Sequence, residues 1–146
     1  MLRGNHAAKI DDKGRLKIPN AFRALIEKAH GTELFVTSLS GESVRVYPMP
    51  VWLALEERLS RAPSSLPARN KLLDRVNYYG QTAEIDAQGR VVIHQRLRES
   101  AGMAGEVDVL GVVDRLEIWN HERLASRLLS TPFTDEDARA LSEFGV

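Results

Sequence analysis

The chain has 146 residues, room for one compact domain or for two very small units sharing a core, and too few for several independently folded domains. At 43% hydrophobic and 27% charged residues the composition is that of a globular protein, and no apolar run approaches the roughly 20 residues a membrane-spanning helix needs. The formal net charge of zero argues at first sight against nucleic acid, yet residues 1–23 hold six basic side chains against Asp11 and Asp12, while residues 120–146 hold three against five acidic ones.

The opening Met1-Leu2-Arg3-Gly4-Asn5-His6 has no apolar targeting core and no small-residue cleavage site, so a cytoplasmic protein is expected. The β-type runs Ala8-Lys9-Ile10 and Leu16-Lys17-Ile18 enclose Asp11-Asp12-Lys13-Gly14-Arg15, a hairpin signal. Gly14 supplies a positive φ and the Asp11 carboxylate accepts from backbone N–H groups of the turn. A helix follows: Pro19 suits its first position, Phe22, Leu25, Ile26 and Ala29 share a face, and Gly31 stands just past its end. Strands are expected from Glu33 to Leu39 and from Val44 to Tyr47. Trp52, Leu55 and Leu59 make one helical stripe and, after the Pro-Ser stretch 62–67, Leu72, Val76 and Tyr79 make another. Of the adjacent Tyr78 and Tyr79, one should face inward and one outward.

The same order then recurs. Ile85-Asp86-Ala87-Gln88-Gly89-Arg90-Val91-Val92-Ile93 echoes residues 10–18 at a constant offset of 75, and Leu97-Arg98 matches Phe22-Arg23 at that offset. A shorter helix carries Leu97 and Ala101 inward before Gly102, and strands run from Glu106 to Val113 and from Arg115 to Trp119, with Trp119 in the core. Each half reads β-β-α-β-β, an α+β class. Asn120 caps a further helix that carries Leu124 and Leu128. Beyond Pro132, Thr134 caps a short helix whose first turn holds Asp135, Glu136 and Asp137, as the helix dipole favours. The organisation expected is a first repeat with its following helix over 1–61, a linker and connecting helix over 62–80, a second repeat with its helix over 81–129, and a tail over 130–146.

An Arg directly after the turn glycine, in both copies, is the most pointed chemical feature. A two-stranded ribbon fits the DNA major groove, and a guanidinium can bond guanine O6 and N7 together. Asp11 and Asp86 then act as organisers that fix the direction of Arg15 and Arg90, with Gly14 and Gly89 shaping the turns. The plain alternative is a good turn with a solvated Arg, but a turn needs Asp and Gly and has no use for Arg at the same place twice. Enzyme readings lack support: His6, His30, His94 and His121 are scattered, no serine sits in a nucleophile elbow, and no phosphate-cradling or dinucleotide loop is present. The absence of cysteine excludes thiol catalysis, disulfides and thiolate zinc sites. No catalytic residue, metal or cofactor is expected.

Three separated motifs, Asp12-Lys13-Gly14-Arg15-Leu16-Lys17-Ile18-Pro19 near Arg3-Gly4-Asn5-His6, then Asp86 to Ile93, then Glu117-Ile118-Trp119, closely resemble the bacterial MraZ family in order and spacing. The resemblance covers residues 1 to about 128. It implies two AbrB-like β-β-α-β-β units intertwined as a swapped-hairpin β-barrel with flanking helices, assembled into a ring of identical subunits. It also implies a nucleoid-associated transcription factor acting on the promoter of the division and cell-wall gene cluster through G-rich direct repeats in double-stranded DNA. The family's Asp-x-x-x-Arg motif falls on Asp11 with Arg15 and on Asp86 with Arg90, making the two arginines the base readers and Lys13, Gln88 and Arg3 helpers, mainly to phosphate. One departure is visible: the first motif ends Ile18-Pro19, whereas the second ends Ile93-His94, so the second helix loses the preset φ of proline. A competing reading is a ring-forming interaction protein of the same barrel superfamily that works through a protein partner such as a toxin. The acidic tail, short and helical in pattern, is unlike the long disordered tails such antitoxins carry.

Overall fold

The structure, a computed structural model, describes residues 1–146. Fourteen elements follow in chain order: β1 (Leu2–Ile10), β2 (Arg15–Lys17), α1 (Asn20–His30), β3 (Glu33–Thr37), β4 (Val44–Pro48), α2 (Met49–Arg61), α3 (Pro67–Tyr79), β5 (Gln81–Glu84), β6 (Arg90–Val92), α4 (Gln95–Ala101), β7 (Gly105–Val113), β8 (Arg115–Asn120), α5 (His121–Ser130) and α6 (Asp135–Ser142). The β-β-α-β-β order expected from the motifs is therefore present twice.

All eight strands join one antiparallel sheet in the order β5-β3-β4-β8-β7-β1-β2-β6, which curls into a nearly closed barrel as β5 and β6 come back together. The pairing exchanges hairpins between halves. β1 pairs with β7 along all nine of its residues, from Leu2 opposite Val113 to Ile10 opposite Gly105, and β3 pairs with β5. β2 and β6 form a short ribbon in which Arg15 faces Val92 and Lys17 faces Arg90. The main core is shared: one cluster of 20 buried residues draws Leu16, Ile18 and Phe22 from the first half and Val91, Ile93 and Leu97 from the second. Each such side chain is worth about 1.5–3 kcal/mol when fully buried, so this shared core couples the stability of the two halves. A smaller cluster of Tyr47, Met49, Trp52 and Val76 seats α2 and α3, and Phe35 stacks on Trp52 at 4.4 Å.

Several local expectations shift. β1 begins at Leu2 rather than Ala8, because its full-length partner β7 imposes an extended backbone on a stretch of weak strand formers, Gly4 included at φ 92°. Pro19 is the N-cap residue and α1 begins at Asn20. β3 ends at Thr37, whose hydroxyl donates to the Val76 carbonyl, and Ser38 Oγ accepts from the N–H of Gly41 in the turn that follows. Of the residues that helical spacing groups together, Leu25, Ala29 and Leu128 are exposed, while Phe22, Ile26 and Leu124 are buried. Tyr79 packs against the core and Tyr78 faces solvent. His94, in place of a proline, keeps an extended backbone close to that of Pro19, and its Nε2 lies 2.6 Å from the Tyr79 carbonyl. The tail helix forms with the expected Thr134 cap, completed by Asp137 as a capping box. None of its residues is buried.

Candidate nucleic-acid interface

The β2/β6 ribbon alternates in both strands. Leu16 and Val91 point into the barrel, leaving Arg15, Lys17, Arg90 and Val92 on the outer face. Period-two alternation on a half-buried sheet sends successive residues to opposite sides, so three cations lie together on one surface. Lys17 was not singled out by the motif, yet its register opposite Arg90 places it beside the second turn.

Each turn is built by its aspartate. Asp11 Oδ1 accepts from the backbone N–H of Lys13 at 3.0 Å and of Arg15 at 2.9 Å, while Oδ2 accepts from Arg15 Nε at 2.7 Å. Asp86 repeats the pattern with Gln88 N–H at 2.9 Å, Arg90 N–H at 2.8 Å and Arg90 Nε at 3.0 Å. Those bonds, led by the backbone N–H of Arg15 or Arg90, hold both carboxyls below the ordinary aspartate range. Both arginines remain about one-third exposed. Because the aspartate engages Nε, the terminal nitrogens of Arg15 are free of any partner within the protein. In the second turn Arg90 Nη2 donates to Gln88 Oε1 at 2.6 Å.

The turns are also held crosswise, by residues whose role the repeat signalled without defining. Ile93 N–H donates to the Gly14 carbonyl at 2.8 Å, and Ile18 N–H to the Gly89 carbonyl at 2.9 Å. Gly14 sits at φ 79° and Gly89 at φ 80°, left-handed conformations that favour glycine. A methyl group on Gly14 would lie 2.7 Å from Arg98 Nε and 2.8 Å from the Ile93 carbonyl, and one on Gly89 would meet Arg23. Arg23 of α1 thus lies over the second turn, donating Nη2 to the Ala87 carbonyl, and Arg98 of α4 lies over the first. Arg23 Nε donates to Glu27, whereas Arg98 Nε is buried without a partner.

Of the expected site residues, Asp11, Lys13, Gly14 and Arg15 meet in one turn and Asp86, Gln88, Gly89 and Arg90 in the other, the two flanking the ribbon. Arg3 does not join them. It pairs opposite Val112, seven residues up β1 from Ile10, about 24 Å away at strand spacing. On the far side of β7, the buried Asp108 accepts from Asn5 Nδ2 at 3.2 Å and lies 2.7 Å from His121 Nδ1, a pair that raises the histidine above its ordinary value of 6.5 chiefly through that hydrogen bond. No group of three or more His, Cys, Asp or Glu is placed to hold a metal, and no helix is long and apolar enough to cross a membrane.

The model of the family described as "MraZ protein, putative antitoxin-like" matches residues 1–75 and 80–144. The transcriptional regulator MraZ of Acidobacterium capsulatum is 47% identical over the whole of both chains, and that of Koribacter versatilis is 48% identical, also over the whole of both. The transcriptional regulator MraZ of Chromobacterium violaceum is 35% identical over 87% of this chain and 86% of its own. With its swapped barrel, its two aspartate-clamped arginines and these relatives, the chain belongs to the MraZ family.

Proposed function

We propose that the protein is a sequence-specific DNA-binding transcriptional regulator that reads G-rich direct repeats in the promoter of the division and cell-wall gene cluster. The observation that carries this reading is the outer face of the β2/β6 ribbon, where Asp11 and Asp86 aim Arg15 and Arg90 outward. A guanidinium with Nε held and a terminal edge open is preorganised for the O6 and N7 of guanine. Lys13, Lys17 and Gln88 beside it contact phosphate, adding affinity and salt dependence without reading bases. Arg3, on another part of the surface, serves any longer duplex that wraps past the ribbon. The relatives' name, transcriptional regulator, supports the same class. A ring of identical subunits presents one ribbon per subunit to successive repeats, so weak single contacts add up, and the working place is the cytoplasm at the nucleoid.

The test is fluorescence anisotropy on the G-rich repeats upstream of the gene cluster, across a salt series, for wild type and the Arg15→Ala/Arg90→Ala double variant. Wild type binds specifically with steep salt dependence, and the folded double variant keeps weak binding but loses discrimination. Equal discrimination by the double variant would reduce the arginines to turn decoration. Absence of wild-type binding would favour a protein partner, the reading that the antitoxin-like description of the family keeps in view.

A further inference from the structure

The two flanks of the ribbon carry opposite charge. Ile10 pairs with Leu16 across β1 and β2, so the next residues along place Lys9 opposite Lys17, and Lys17 in turn stands opposite Arg90 on β6. Three cations thus form a row on the outer face, on strands roughly 4.8 Å apart. Like charges directly opposite one another destabilise a sheet, and neither lysine has an ion-pair partner, every ion pair of the chain being made by an arginine or by His121. Glu106, opposite Lys9 on β7, makes no bond to it, and Asp108, next on that face, is held by Asn5 and His121. Between β1, β2 and the start of α1 the row borders a cleft of about 420 Å³ lined by His6, Lys9, Lys17 and Asn20, with no carboxylate in its walls.

The other flank reverses these choices. At the offset of 75 the counterparts of His6, Lys9, Lys17 and Asn20 are Gln81, Glu84, Val92 and Gln95. Glu84 stands opposite Glu33, and β5 brings this acid pair back beside β6, where Val92 faces Arg15. Glu33 takes the place beside Glu84 that Glu106 takes beside Lys9. One row therefore holds one acid and three cations, Glu106, Lys9, Lys17 and Arg90, and the other two acids and one cation, Glu33, Glu84 and Arg15, with Val92 between. The turns add no bias, since Asp12 offsets Lys13 in one and Ala87 and Gln88 are neutral in the other. Arg96, early in α4, is turned onto the ring of Tyr78, 4.7 Å from its centre.

We infer that the duplex lies tilted onto β1, with the backbone phosphates of one strand seated in this cleft on Lys9, Lys17 and the Asn20 amide, while Glu33 and Glu84 hold the other strand off β5. The inference rests on the DNA-binding reading above and deepens it. A ribbon with two-fold symmetry admits its site in both orientations; a one-sided seat admits one, so each subunit reads its repeat with a fixed polarity. It is tested on the G-rich repeats and on a scrambled duplex, by anisotropy across a salt series, for wild type and the Lys9→Gln/Lys17→Gln variant, each checked for folding by circular dichroism. The variant is expected to lose the same factor in affinity for both duplexes and to flatten the salt slope by about two units, with the ratio of the two affinities unchanged. Because the chain has no cysteine, Ala7→Cys and Thr82→Cys, exposed counterparts on β1 and β5, each give a single attachment point for an iron chelate that cleaves nearby DNA. Cleavage of the repeat duplex is expected from position 7 and not from position 82. A variant that keeps the wild-type salt slope would overturn the phosphate seat, and equal cleavage from both positions would overturn the one-sided tilt, in each case with specific binding by wild type leaving the DNA reading standing. Absence of wild-type DNA binding would overturn both.

Discussion

The turn before β2 and the turn before β6 share backbone path and aspartate clamp, yet they differ at three points that follow from single residues. Lys13 has no acceptor and leaves the terminal edge of Arg15 open, whereas Gln88, its counterpart, accepts from Arg90 Nη2. A methyl on Gly14 would meet a backbone carbonyl, while one on Gly89 would meet the flexible Arg23 side chain first. Arg23 has Glu27 for its Nε; the counterpart of Glu27 is Gly102, where the shorter α4 has already ended, so Arg98 Nε stays unpaired. One copy thus offers a freer reader on a stiffer seat.

The seats differ most. Alanine at either glycine imposes the left-handed backbone on a Cβ, about 1–2 kcal/mol. At Gly14 the methyl also meets Ile93 O at 2.8 Å, which cannot rotate away, adding an overpacking cost of about 1–3 kcal/mol. Gly14→Ala is therefore expected to lower the urea midpoint clearly more than Gly89→Ala. Equal losses would mean that the first turn yields as readily as the second.

The readers come next. If Arg15 bonds guanine through its free edge, Arg15→Ala should remove about 1–3 kcal/mol of discrimination between the G-rich site and a site with that guanine replaced. Arg90→Ala should remove less, because Arg90 must first give up Gln88. Anisotropy on single-guanine variants of the repeat measures both, and identical losses would show that the Gln88 bond opens on binding at no cost. Lys17→Ala, by contrast, should weaken all sequences alike and flatten the salt slope by about one unit.

The local devices were legible because each is written in a few adjacent residues: Asp and Gly at turn spacing, period-two alternation in Leu16-Lys17-Ile18, Asn120 and Thr134 as caps. The exchange of hairpins was not, since β1 with β7, and β3 with β5, are pairings between halves that no local pattern encodes; only the family resemblance implied them. The same cause hid the first residues of β1, which become a strand through β7. Arg23 and Arg98 were visible as a repeated pair, but their targets lie on the opposite half, so their positioning role emerged only from the fold. Leu25 and Ala29 misled because helical periodicity marks an apolar face without saying whether anything in the same chain covers it.

The outer faces of the two halves extend the comparison. Phe35 opposite Tyr47 under α2 corresponds to Asp108 opposite Trp119 under α5, an apolar stack in one half and an Asp108–His121 pair in the other. The folded pKa of His121 is raised above 6.5, so the pair's stabilisation is fully present below that value and is lost as pH rises through the raised pKa. Thermal melts from pH 5.5 to 8.5 should show wild type losing a small increment of Tm over His121→Gln as pH rises, with the two curves converging at the alkaline end. Parallel curves would leave the histidine outside the folding equilibrium.

The smallest change is the one that makes the second turn imitate the first. Gln88→Lys keeps the backbone N–H that Asp86 accepts, so the clamp survives, and an exposed position of this kind should alter stability by no more than about 0.5 kcal/mol. It removes the acceptor that holds Arg90 Nη2 and adds a cation beside the ribbon. Binding should tighten at low salt, the salt slope should steepen by just under one unit, and the gap between Arg15→Ala and Arg90→Ala should close when both are made in this background. A gap that persists would place the asymmetry in the seats, through Gly14 and Arg98, and not in the side chain that Arg90 must release.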